Sequence, residues 1–132
     1  MAGLWSRLFG TRPAARRAPA RGLPINLVGE QHCAEAIAGC RRGDVALVWH
    51  EADNPDDDGA LAVTDEQGRL LGYVPRYSFL RQAIHDDGKG CEARIRQIGP
   101  GVRGFNEVRI AVVLDDSEIQ KRRYEGAVKS SS

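Results

Sequence analysis

The sequence predicts a mainly β protein, a small β-barrel of the OB or SH3-like kind with about six strands and two short helices. Three observations lead there. Short apolar runs recur along the chain, each too short for a helix of ordinary length. Clusters of Gly, Pro, Asn and Asp punctuate them, which is turn chemistry. Finally, 132 residues with 42% hydrophobic and 28% charged side chains leave room for one domain with one core.

In chain order, residues 25–29 form a short apolar run ending in Gly29. Residues 34–38 are rich in Ala and Glu, a short helix that Gly39 can end. Residues 45–49 (VALVW) are a strong strand candidate. Residues 60–63 follow the dense turn cluster from Asp53 to Gly59. Asp65, Glu66, Gln67 and Gly68 make the next turn, so residues 70–74 complete a hairpin with 60–64. Residues 77–85 place Phe79, Leu80 and Ala83 on one helical face, against the barrel. Residues 93–98 and 108–114 supply the last two strands, with Gly99, Pro100, Gly101 and Gly104 between them. Residues 117–124 offer a third, charged helix. The predicted core is Val28, Val45, Leu47, Leu61, Val63, Leu71, Val74, Ile98, Ile110 and Val112.

Charge divides the chain in three. Residues 1–23 carry five arginines and no acid, residues 24–116 have a net charge of −6, and residues 117–132 have +2. Pro13 and Pro19 interrupt the first segment, which reads as a flexible basic arm (1–23). The barrel occupies 24–116, and 117–132 reads as a short helical or disordered tail. Cys33, Cys40 and Cys91 are odd in number, which suits reduced thiols in a cytoplasmic protein. No apolar run approaches the roughly 18–20 residues of a membrane helix.

Three blocks, taken together, resemble the HIRAN domain family. They are Leu27-Val28-Gly29-Glu30, the stretch from Glu51 through Asn54-Pro55 and Asp57 to Val63, and Leu71-Gly72-Tyr73-Val74-Pro75-Arg76. The resemblance covers roughly residues 26–115 and implies a small OB-like barrel. It also implies capture of the 3′ end of single-stranded DNA. On the matching positions, Asp57 would accept the proton of a terminal 3′-hydroxyl, Arg76 would meet phosphate, and Phe105 and Tyr73 would stack bases. Other family positions differ: a tyrosine is Asp56 here, an Arg and a Tyr are Gln31 and His32, and a proline is Ala52. The resemblance thus nominates Gln31, His32, Asp56, Asp57, Tyr73, Arg76 and Phe105 as a nucleic-acid site, with single-stranded DNA or DNA 3′ ends as partner. The alternative is a protein-interaction module on the same fold that has lost DNA-end binding; the acidic body favours it.

Other chemistry has weaker sequence support. Asp56, Asp57 and Asp58 read as a solvated turn-forming loop more readily than as a divalent-metal site, since calcium-loop spacing is missing. His32, Cys33, Cys40 and His50 raise a zinc site, but no CxxC pair exists, so no cofactor is expected. Arg94, Arg96 and Arg109 could line one face of two adjacent strands. No phosphate-binding Gly-rich loop and no nucleophile–base order is assignable, so the chain reads as a binding module rather than an enzyme.

Overall fold

The computed structural model describes residues 22–100 and 106–125. The expectations for the basic arm up to residue 21, for Phe105, Gly101 and Gly104, and for residues 126–132 lie outside the described residues. The elements run β1 (Leu23–Asn26), a 3₁₀ turn (Glu30–His32), α1 (Ala34–Ala38), β2 (Val45–Glu51), β3 (Ala60–Thr64), β4 (Leu70–Tyr73), α2 (Phe79–His85), β5 (Gly90–Pro100), β6 (Asn106–Asp115) and β7 (Gln120–Lys121).

The strands make one sheet in the order β1-β6-β5-β2-β3-β4, antiparallel throughout, with β7 added parallel to β2. β2 is the pivot. Its start, Val45 and Ala46, pairs with β5, whereas Leu47 to Glu51 pair with β3. β7 then takes the β2 edge that β5 has left, at Trp49 and His50. The sheet curls until its two ends meet. Past β1, the Val28 N–H donates to the Tyr73 carbonyl at 2.9 Å and the Tyr73 N–H to the Val28 carbonyl at 2.8 Å. Gly72 permits this approach, because a Cβ there would lie 3.0 Å from the Val28 carbonyl oxygen and 3.2 Å from Leu27 Cβ.

The curl encloses a core of Ile25, Leu27, Ile37, Ala46, Val48, Leu61, Val63, Leu71, Val74, Leu80, Ile84, Ile95, Val108, Ile110 and Val112. Six predicted core residues are in it: Leu61, Val63, Leu71, Val74, Ile110 and Val112. The other four require correction. Val45 and Leu47 are only half-buried, and Ala46 and Val48 point inward instead. VALVW is apolar at every position, so alternation could not choose a face. Pairing chose it: Ala46 lies opposite Ala93, both buried, where two small side chains let β2 and β5 pack close to the core. Val28 is 42% exposed, because the strand ends at Asn26 and Val28 contributes its backbone to the bridge. Ile98, past the irregularity between Ile95 and Gln97, is only partly buried against the core, whereas its cross-strand partner Val108 is buried. Gly99 and Pro100, expected in the turn, are the last rungs of that ribbon.

The helices differ in detail. α2 begins at Phe79, where the Ser78 hydroxyl accepts from the Leu80 N–H at 3.2 Å. Its buried face is Leu80, Ala83 and Ile84, at the i, i+3, i+4 spacing of a helical stripe. Phe79 is 41% exposed rather than packed on the barrel. The third helix expected over 117–124 does not form: its two residues Gln120 and Lys121 make the short strand β7 on β2, and the Arg122 N–H donates to the His50 carbonyl at 3.1 Å. The folded unit therefore continues beyond residue 116.

Candidate functional site

The acidic stretch between β2 and β3 folds by the turn chemistry of its side chains. Asn54 Oδ1 accepts from the Asp56 N–H at 2.9 Å, and Asp57 Oδ1 accepts from the Gly59 N–H at 3.1 Å. Two histidines hold the far end of this loop. The rings of His50 and His85 meet edge to face at 4.5 Å between centroids. Their Nε2 atoms donate to the Asp58 and Gly59 carbonyls at 2.8 and 2.9 Å. These contacts span β2, the loop and α2, and they fix where Asp57 sits.

Asp57 is not a bare carboxylate. Arg81, from α2, grips it with two parallel bonds, Nη1 to Oδ2 at 2.7 Å and Nη2 to Oδ1 at 3.0 Å. Arg76 Nε stands 3.6 Å from Oδ2, and its side chain is 68% exposed. The Arg81 bonds hold the Asp57 carboxyl below the usual carboxylate range, helped by the Gly59 N–H and by Arg76, against an opposing push from burial. Arg81 was not legible in sequence: it lies 24 residues from Asp57 with no local signal for the pairing.

Beneath the loop lies a second carboxylate. Glu51 is fully buried. Its Oε1 accepts from Tyr73 Oη at 2.9 Å and from Asn54 Nδ2 at 3.1 Å, and Arg122 Nε lies 3.1 Å from Oε2. Burial and the neighbouring Glu51 raise the Tyr73 phenol well above its ordinary value, so it stays a donor. Glu51 opens the block that resembles the HIRAN pattern, and its role here is to brace Tyr73.

Val28, the loop and β4 enclose a cleft of about 600 Å³. Five of the seven nominated residues line it: His32, Asp56, Asp57, Tyr73 and Arg76. Gln31 is exposed on the adjoining 3₁₀ turn and does not line the cleft. Phe105 lies outside the described residues. Tyr124 also lines the cleft, and sequence reading missed it. The available signal was a lone aromatic in the otherwise polar stretch 120–125.

Other nominated groups go elsewhere. Arg94 donates to the Gly43 carbonyl at 2.9 Å and Arg109 to Asn26 Oδ1 at 2.6 Å, so the arginines of β5 and β6 do not share one open face. Arg96 instead lines a groove of about 810 Å³ with Arg41 and Arg42, which includes none of the nominated site residues. Among the described residues no three His, Cys, Asp or Glu side chains converge as metal ligands would. The Cys33 and Cys40 thiols donate to the Gly29 and Ala36 carbonyls, and burial raises both above their ordinary values.

No family model matches the sequence, and no curated protein matches it. Solved structures do match the fold. One is the crystal structure of a protein from Lactobacillus plantarum, at a TM-score of 0.51 and 21% identity over 67% of this chain and 90% of that one. Another is the crystal structure of the HIRAN domain of human HLTF, at a TM-score of 0.52 and 14% identity over 72% of this chain and 76% of that one. The chain has the HIRAN fold. On this HIRAN fold, the three sequence blocks of the resemblance meet at one cleft: Val28 and Gly29, then Asp56 and Asp57, then Tyr73 and Arg76.

Proposed function

We propose that this chain is a nucleic-acid-binding module that receives the 3′ end of single-stranded DNA in the cleft beside Asp57. The observation that carries the reading is the convergence of Asp57, Arg76 and Tyr73, from separate parts of the sequence, on one cleft of about 600 Å³. Of the acceptor positions on the Asp57 carboxylate, Arg81 and the Gly59 N–H take three. The remaining one, on Oδ2, faces Arg76 at 3.6 Å, beyond hydrogen-bond length. A terminal 3′-hydroxyl fits there as donor. A 3′-phosphate, with close to two negative charges at neutral pH, is repelled by the carboxylate. Arg76, mostly exposed, is free to turn toward the adjacent phosphodiester, and Tyr73, which lines the cleft, is the residue to stack a base. The role is binding, with no catalytic step.

Asp56 at the rim and the −6 charge of residues 24–116 oppose a polyanion, so affinity is weak, on the order of micromolar or poorer. The test is a titration at two salt concentrations with oligonucleotides ending in 3′-hydroxyl or 3′-phosphate. Wild type favours the hydroxyl end. Asp57→Ala erases that preference and leaves general binding equal or stronger, because Arg76 and Arg81 lose their counter-charge. Arg76→Gln weakens both oligonucleotides and lowers the salt slope by about 1. An absence of DNA binding at low salt would leave a protein-interaction role, which the engagement of Asp57 by Arg81 also suits.

A further inference from the structure

The segment after β6 carries few apolar side chains: of residues 116–125 only Ile119 packs on the core as a partly buried hydrophobic. Its attachment to the barrel is therefore mostly polar. Gln120 and Lys121 pair with β2, the Arg122 N–H bonds the His50 carbonyl, Arg122 Nε meets Glu51 at 3.1 Å, and the Tyr124 N–H donates to Asp53 Oδ1 at 2.9 Å. These contacts bring Tyr124 to the cleft wall. The same buried Glu51 also fixes the Tyr73 phenol. One carboxylate thus bonds Tyr73 directly and, through Arg122, ties to β2 the segment that carries Tyr124.

We infer that Tyr124 is a base-stacking wall of this cleft, so that the segment after the barrel completes the binding site by contacting the terminal nucleobase. The inference rests on the nucleic-acid reading above. Every base has a π face, so the contact carries little sequence preference.

The experiment uses the full chain and a single-stranded oligonucleotide with a 3′-hydroxyl, beside the same oligonucleotide with an abasic 3′-terminal residue. Tyr124→Leu keeps apolar bulk without the ring face, and Tyr124→Trp keeps a ring face. Tyr124→Leu weakens binding of the normal oligonucleotide by about 5- to 150-fold, and Tyr124→Trp stays within a few-fold of wild type. Wild type loses a similar factor on the abasic oligonucleotide, and Tyr124→Leu loses nothing further there. Amide chemical shifts of β2 and β4 establish that each variant retains the barrel. Tyr124→Leu binding as wild type does, or losing equally on both oligonucleotides, overturns the inference while the nucleic-acid reading stands. Wild type binding neither oligonucleotide overturns both. If Tyr124→Leu does not fold, Tyr124→Trp and Tyr124→His decide: weak binding by both, with the barrel intact, overturns the inference.

Discussion

Removing Arg122 tests whether the tail is built into the fold. Glu51 is fully buried and the Arg122 side chain is 16% exposed, so this is an interior ion pair. Deleting one partner of such a pair leaves a charge without its counter-charge, at about 3–5 kcal/mol. Two donors remain on the carboxylate, Tyr73 Oη and Asn54 Nδ2, and they moderate the loss. Arg122→Met should therefore cost about 2–3 kcal/mol, roughly 8–24 °C in Tm for a folded unit near 100 residues. Urea unfolding followed by circular dichroism measures it. Glu51→Gln/Arg122→Met should recover at least half of the loss, because no unpaired charge is then buried. A loss below about 1 kcal/mol for Arg122→Met is the behaviour of an exposed pair and would refute the reasoning.

Further outcomes follow from other parts of the structure. Gly72→Ala places a Cβ 3.0 Å from the Val28 carbonyl oxygen, and should cost about 1–3 kcal/mol with faster hydrogen exchange at the Val28 and Tyr73 amides. Asp57 has a lowered carboxyl pKa, so its pairing contributes stability above the unfolded carboxylate range and loses it as pH falls through the folded value. Arg81→Met should accordingly reduce the loss of stability seen on acidification below about pH 4, measured by thermal melts across that range. Glu30 is buried, with Oε2 accepting the Val108 N–H at 2.9 Å. Glu30→Ala should cost about 1–3 kcal/mol by orphaning that N–H. Glu30→Gln should cost less because an acceptor remains, and equilibrium unfolding separates the two.

Much of the fold was legible in the residues. The strands were readable because apolar runs and Asx, Gly and Pro turns are local signals, and local turn geometry fixes the β3–β4 hairpin. Asp57, Tyr73, Arg76, His32 and Asp56 were nominated from the resemblance and do share a cleft. What local pattern could not carry was any choice between equivalent local states. VALVW has no polar face, so only the assembled sheet shows which side turns inward: Ala46 and Val48, with Ala46 opposite the buried Ala93. Phe79 fits a helical stripe as well as Ile84 does, and only docking of α2 chose Ile84.

The sequence by itself determined a small β-barrel, its order of turns and the chemistry available at the acidic loop. Its strands and turns depend on neighbours within a few residues. Only the tertiary structure decided that Asp57 is held by Arg81, that Glu51 is buried under Tyr73 and Arg122, and that Tyr124 reaches the cleft. The reason is physical: a charge tolerates burial only beside its partner, and these partners stand 24 and 71 residues apart along the chain. No periodicity or turn signal reaches that far, so the pairs exist only once β7 has docked on β2 and α2 has packed beside the loop.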